Sequence, residues 1–245
     1  GRGRMEDVRN GKHGEGIQVG FFGIEKYELL PYLSRILRQL GLRVLLVDYS
    51  ENGALSAGIP VWDQFGGAGR EELAAENASY QTAVDYCGIH FLRELMVGPA
   101  VRSRYDCVLI DFGFELEHEA VRECSRAVIV SHQQLHNIHR LRHPLLWESM
   151  PVYAVLKDMC PCRITPDYIL EEAGVKAEEG YRYVIYQDAW DAKCRISCQY
   201  SKLSPFVRIS REYREFLKNI TKDLFPEFTK SEIDRAFRAA EKGEC

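Results

Sequence analysis

From Ile17 onward the chain alternates short, wholly apolar runs with stretches whose apolar residues return every three or four positions. The run Ile17-Gln18-Val19-Gly20-Phe21-Phe22 predicts a buried strand. Leu29, Leu30, Leu33, Ile36, Leu37 and Leu40 then follow the spacing of one buried helix face, and Gly41 suits the residue that ends it. Arg43-Val44-Leu45-Leu46-Val47-Asp48 predicts a second strand, apolar on both faces as a parallel sheet requires. Further strands are predicted at Cys107–Asp111, Ala127–Val130, Val152–Leu156 and Tyr183–Tyr186. Helices are predicted around Glu117–Cys124, over Leu135–Trp147, and from Thr165 as N-cap with Pro166 first in the helix to Gly174. In the tail Tyr213, Phe216, Leu217, Ile220 and Leu224 share a face, and Thr229-x-x-Glu232 reads as a capping box. Residues 50–100 show no clear period.

Repeated β–α units imply an α/β fold: a doubly wound, mainly parallel sheet with helices on both faces. We read residues 17–245 as one such domain with a helical C-terminal extension over about 205–245. The polar segment Gly1–Gly16 reads as a flexible leader, with a natural start at Met5. Ligands of such folds gather at the carboxyl ends of the strands. Chemistry is therefore expected just after Phe22, Asp48, Asp111 and Leu156.

Composition narrows the class. At 46% hydrophobic and 28% charged the chain is not a disordered one. It has no apolar run near the ~18 residues that span a bilayer. With 32 Lys+Arg against 36 Asp+Glu, a net charge of −4 argues against nonspecific nucleic-acid binding by bulk electrostatics. Eight cysteines, some inside strand-like runs such as Cys107-Val108-Leu109, fit a reducing, cytoplasmic setting better than a disulfide scaffold.

Two strand ends carry a family resemblance. The segment from Val47-Asp48-Tyr49-Ser50 to Gly58-Ile59 resembles the second-strand end of MinD/ParA P-loop ATPases, and Tyr105–Asp111 is similar to their Walker B strand. The resemblance spans about residues 17–190, and it implies a P-loop NTPase-like fold with vestigial nucleotide-binding residues Gly23, Lys26, Asp48 and Asp111. The departures matter more. Against the family's K-G-G-x-G-K-T this chain has Phe21-Phe22-Gly23-Ile24-Glu25-Lys26-Tyr27, in which only Gly23 and Lys26 survive. A phosphate cradle needs several glycines so that successive N–H groups can close on the anion. Tyr27 stands at the Mg²⁺-binding Thr, Ser50 at the second acid of D-x-D, and Phe112-Gly113-Phe114 at T-P-P. A flavodoxin-like fold is the alternative compatible with so degraded a loop.

Other constellations are weaker. Cys160-x-Cys162 and Cys194-x-x-x-Cys198 could converge on Zn²⁺ if their elements are neighbours, though the spacing is not that of a zinc ribbon. Two separate pairs of packed thiols is the plainer reading. His132, His136, His139 and His143 fit one helix face, but interleaved Arg140 and Arg142 make it a polar or docking face rather than a metal site. No nucleophile elbow is present, and the last helix has only Ile233 and Phe237 to offer a membrane.

The expected function is that of a non-hydrolysing MinD/ParA-like pseudo-ATPase, with no catalytic residue and no metal ligand assigned. It would act as a scaffold or localisation factor through protein partners. Within the family the resemblance is to the divergent members that position pili or secretion systems, TadZ and CpaE. A divergent ATPase that still binds ATP or ADP is the first alternative, and a zinc-stabilised interaction module the second. Phe21 at the signature-lysine position implies that any homodimer forms without ATP.

Overall fold

The protein is described here from a computed structural model that covers residues 16–57, 84–86, 88–93, 98–176, 181–201 and 208–243. Residues 1–15 of the leader, Cys87, Cys245, the Gly58-Ile59 end of the second-strand segment and residues 202–207 of the tail lie outside the described residues. The strands are β1 (Ile17–Gly23), β2 (Val44–Asp48), β3 (Val84–Tyr86), β4 (Ile89–Arg93), β5 (Cys107–Gly113), β6 (Arg126–Ser131), β7 (Val152–Met159) and β8 (Arg182–Tyr186). They form one sheet in the order β3-β4-β2-β5-β1-β6-β7-β8. Every pairing is parallel except β3 with β4. The chain leaves β1 toward β2 on one side and later places β6 on the other. That reversal opens the crevice beside β1 where doubly wound sheets hold ligands.

The helices are α1 (Leu29–Gln39), α2 (Ala54–Ala57), α3 (Pro99–Arg102), α4 (Leu135–Arg140), α5 (Pro144–Glu148), α6 (Pro166–Ala173), α7 (Ala189–Ser201), α8 (Arg211–Leu224) and α9 (Lys230–Lys242). Because strand side chains alternate between faces, neighbouring β1 residues enter different cores. Val19 and Phe21 pack with α1, α8 and α9. Phe22 packs on the other face with Ile138, Trp147, Ile169 and Leu170. The caps expected from sequence are in place. Thr165 accepts from the Tyr168 N–H, Gly174 adopts φ +71° at the end of α6, and Thr229 with Glu232 closes a capping box on α9.

Three expectations change. The helix expected over Leu135–Trp147 is two short ones, since Pro144 cannot continue a helix and His143 instead accepts the Leu146 N–H to start α5. His132 precedes α4 and His143 caps α5, so the four histidines do not share one helix face. The segment Glu119–Glu123 is a single 3₁₀ turn capped by His118. The C-terminal helices expected from sequence also cover one face of the sheet. Tyr213, Phe216, Leu217 and Ile220 of α8 and Phe237 of α9 are buried in the same core as α1. Arg35 of α1 also donates to the carbonyls of Ala240 and Gly243.

Leu217 is fully buried in that layer. Leu217→Ala should cost about 2–5 kcal/mol in urea unfolding, through lost transfer energy plus a cavity. Thr229→Ala should cost only about 1 kcal/mol, the worth of one cap. Equal losses would mean that α8 does not belong to the core.

Candidate functional site

β2 and β5 run side by side in register, so Asp48 lies opposite Asp111, and Phe21 of β1 lies opposite Asp111 from the other side. The sheet thereby brings Gly23, Lys26, Asp48 and Asp111 to one carboxyl edge. Lys26 follows β1 by three residues and is only 1% exposed. Its ammonium donates to the carbonyls of Gly23 (3.0 Å) and Ile24 (2.6 Å) and pairs with Asp111 at 3.0 Å. An ammonium has three donors, and all three are used, two on the carbonyls of Gly23 and Ile24 and one on Asp111 of β5. Gly23 has φ +104°, and a Cβ there would lie 2.0 Å from the Val130 carbonyl oxygen. That glycine is required by the close passage of β6, since the Ile24 N–H continues the ladder onto the same carbonyl.

Asp48 is equally occupied. Its carboxylate accepts from the Ser50 N–H and hydroxyl and from the Ser56 N–H and hydroxyl, at 2.5–3.0 Å. It holds the turn that leads into α2. Ser50, at the position of the family's second acid, is thus a support of the first. Asp111 accepts the Gly113 N–H at 2.9 Å. Burial holds its carboxyl above the ordinary value, with Lys26 opposing that rise and Asp48 adding to it. Around these charges the floor is aromatic. Phe22 stacks on Phe112 at 5.0 Å and meets Trp147 edge-on, while Tyr49 stacks on His118 at 4.4 Å. Arg140 of α4 lies 3.8 Å over the Phe114 ring and pairs with Glu51, so one side chain joins the loops after β2 and β5.

A second buried network fastens the other side of the loop after β1. Lys157, near the end of β7, pairs with Glu28 at 2.7 Å and donates to the Glu25 carbonyl. Arg195 of α7 reaches Asp158 at 2.9 Å and Glu28 at 4.0 Å. Tyr27 sits half-buried beside Glu28 and Arg195, where burial first and then Glu28 push its phenol up to about 12. Sequence reasoning missed Glu28, Lys157, Arg195 and Arg140. Lys157 had a signal: a lysine closing the apolar run Val152–Leu156 must find a buried partner.

The remaining candidates do not assemble. Phe21 lies within β1 and is fully buried, not on the loop at all. Cys160 and Cys162 are exposed after β7, held by Gln133, whereas Cys194 and Cys198 are buried residues of α7, with Cys194 donating to the Arg208 carbonyl. No three His, Cys, Asp or Glu side chains converge among the described residues. His139 faces Glu172 at 3.6 Å. No helix among the described residues is long and apolar enough to cross a membrane.

No protein-family model and no curated protein matches the sequence. The fold does match solved structures. MinD in the MinC:MinD cell-division complex of Aquifex aeolicus superposes with a TM-score of 0.57 at 15% identity, covering 94% of this chain and 98% of that one. A plasmid partition protein of Borrelia burgdorferi bound to AMPPNP gives 0.59 at 13% identity, over 87% and 100%. The pNOB8 ParA bound to nonspecific DNA gives 0.51 at 11%, over 87% and 100%. The fold is that of the MinD/ParA P-loop ATPases.

The pair of Lys26 with Asp111 yields a pH prediction. A carboxyl raised in the folded state adds stability that is complete below its unfolded value and is lost as pH climbs through the raised one. Lys26→Met removes the lowering influence, so Asp111 should rise further. At pH 7 the variant should lose about 3–5 kcal/mol, the cost of an unpaired buried charge. Its deficit against wild type should shrink at pH 5. Urea titrations at both pH values check this, and a deficit that grows toward low pH would show that Lys26 does not lower the Asp111 carboxyl.

Proposed function

We propose that this protein is a non-hydrolysing scaffold or localisation factor on the MinD/ParA ATPase fold, acting through protein partners. The observation that carries the reading is the saturated ammonium of Lys26. In a P-loop that lysine and the surrounding N–H groups face phosphate. Here the loop turns the Gly23 and Ile24 carbonyls inward onto the lysine, and carbonyls repel a phosphate. Asp48 spends its lone pairs on Ser50 and Ser56, and Tyr27 points toward Glu28 and Arg195 rather than toward a metal. The residues in place do not fit Mg²⁺ with ATP.

Phosphoryl transfer depends almost wholly on positioning and charge stabilisation. With metal ligand, water-orienting acid and phosphate cradle all replaced, the loss should be roughly 10⁴-fold or greater. A protein partner suits the fold, since one structure sharing it is of the MinC:MinD complex. The narrower kinship with TadZ and CpaE, a role in positioning a pilus or secretion system and a cytoplasmic location belong to the same proposal. The first two rest on the resemblance in sequence, and the location rests on the cysteine usage.

Purified protein with ATP and Mg²⁺ should release phosphate at the background rate, and calorimetric titration with ATP should give no heat of binding. Light scattering should report the same mass with and without ATP, because Phe21 is buried in β1 and offers nothing to a partner's nucleotide. Turnover that a folded Asp48→Asn variant abolishes would overturn the proposal in favour of a divergent ATPase.

A further inference from the structure

The carboxyl ends of three neighbouring parallel strands meet at a pair of thiols. β7 runs out through Met159 into Cys160-Pro161-Cys162, and of the six cysteines among the described residues only these two are exposed. Gln133 comes from the segment just after β6, and Gln187 is the residue just after β8. Gln133 clamps the thiol loop. Its Oε1 accepts the Cys160 N–H at 2.8 Å, which settles how the amide points, because a backbone N–H can only donate. Its Nε2 is then directed at the Cys162 sulfur at 3.1 Å and at the carbonyls of Cys160 and Ile164 at 2.9 and 2.8 Å.

The two sulfurs are set differently. Cys162 Sγ accepts from two N–H groups, Gln133 Nε2 at 3.1 Å and the Ile164 backbone at 3.4 Å. Its own S–H reaches only the Ile164 carbonyl, at 4.0 Å. Cys160 Sγ instead donates to Gln187 Oε1 at 3.4 Å. N–H groups aimed at a sulfur are placed to meet negative charge on it, and the thiolate is the form that attacks. A sulfur that donates is held as the thiol. One attacking and one waiting thiol are the two halves of a thiol–disulfide exchange site. Their separation permits the bond. Cα atoms two residues apart lie at most ~7 Å apart even in extended chain, a disulfide spans up to ~6.8 Å, and this chain bends over 161–163. The neighbouring charges do not oppose the attack. Asp158 is balanced by Arg195 at 2.9 Å, Asp188 accepts the Trp190 and Asp191 N–H groups at the start of α7, and Arg163 beside Cys162 is exposed.

We propose that Cys160 and Cys162 form a reversible dithiol–disulfide site whose co-substrate is a small disulfide of the glutathione class, with Cys162 attacking and Cys160 resolving. The Cys162 thiolate attacks one sulfur of the small disulfide. That S–S bond breaks, one thiolate leaves and takes up a proton, and a mixed disulfide remains on Cys162. Cys160 then gives its proton to solvent and attacks the Cys162 sulfur, expelling the second small thiolate, which is protonated in turn. Two protein thiols are oxidised and one small disulfide is reduced to two thiols. A loop this short takes little entropy from the unfolded chain, so the bond is a labile one and not a structural brace. Zn²⁺ fits less well, since it takes four ligands and no third His, Cys, Asp or Glu converges here among the described residues. The inference goes beyond the scaffold reading and does not depend on it.

The test treats the reduced, folded full chain with glutathione disulfide, alkylates the remaining thiols and maps the tryptic peptides by mass spectrometry. The peptide holding both cysteines should carry neither an alkyl group nor glutathione, and reduced glutathione should restore its alkylation. Cys160→Ser should stop the reaction at a mixed disulfide on Cys162. The two roles are separated by rates. Cys162 in Cys160→Ser should take up glutathione about tenfold faster than Cys160 does in Cys162→Ser, as expected of hydrogen bonds to an anion. Gln133→Met, which removes one of those donors, should narrow that difference. The idea is overturned if both thiols of the wild type stay open to alkylation, if they stop at mixed disulfides, or if either pairs with another cysteine. It is equally overturned if Cys160 reacts as fast as Cys162, or if the isolated protein carries stoichiometric zinc or copper that Cys162→Ser releases.

Discussion

The carboxyl edge of the sheet is organised by one ammonium group. Lys26 is buried at the end of β1, and a buried charge must be paired and hydrogen-bonded or it destabilises the fold. Asp111 supplies the counter-charge, and the Gly23 and Ile24 carbonyls supply the remaining acceptors. To deliver those carbonyls the loop has to be short and turned inward, and Gly23 must take a left-handed conformation against β6. The shape of the loop follows from satisfying the lysine.

This explains why sequence alone read the site only in part. The residues that resemble a nucleotide site, Gly23, Lys26, Asp48 and Asp111, do come together, because strand order and parallel register are encoded in the apolar runs. Their partners are another matter. That Ser50 and Ser56 saturate Asp48, or that Lys157 reaches across to Glu28, depends on loop conformations and on contacts between residues more than a hundred positions apart. No local period records such pairings. The same limit applies to the histidines, whose spacing fits a helix that Pro144 breaks, and to the cysteines, whose two pairs lie on different layers. The elements missed outright are β3, β4, α2 and α3, each of five residues or fewer, and α7, whose buried apolar residues among the described ones are Cys194 and Cys198.

The charged side chains around the β1 loop form two buried sets, one toward β5 and one toward β7. Arg140 adds a third tie across Glu51 and Phe114. Ionic networks of this kind are costly to bury and costly to break, so they specify one arrangement more than they add net stability. In a nucleotide-driven switch the equivalent loops must rearrange with the ligand. Here each is fastened to the protein itself, which suits a molecule whose role is to present a constant surface.

The bonds from Arg35 to the carbonyls of Ala240 and Gly243 join residues separated by more than two hundred positions. During synthesis the first helix emerges long before α9, so the apolar face of α1 stays uncovered until α9 has left the ribosome. Long-range closure of this kind is slow, because loop entropy is spent before the contacts repay it. An incomplete chain would show that face to its neighbours, and chains of this size are prone to association in such states. Removing α9 should accordingly harm the yield of folded protein in cells well before it alters anything at the carboxyl edge of the sheet.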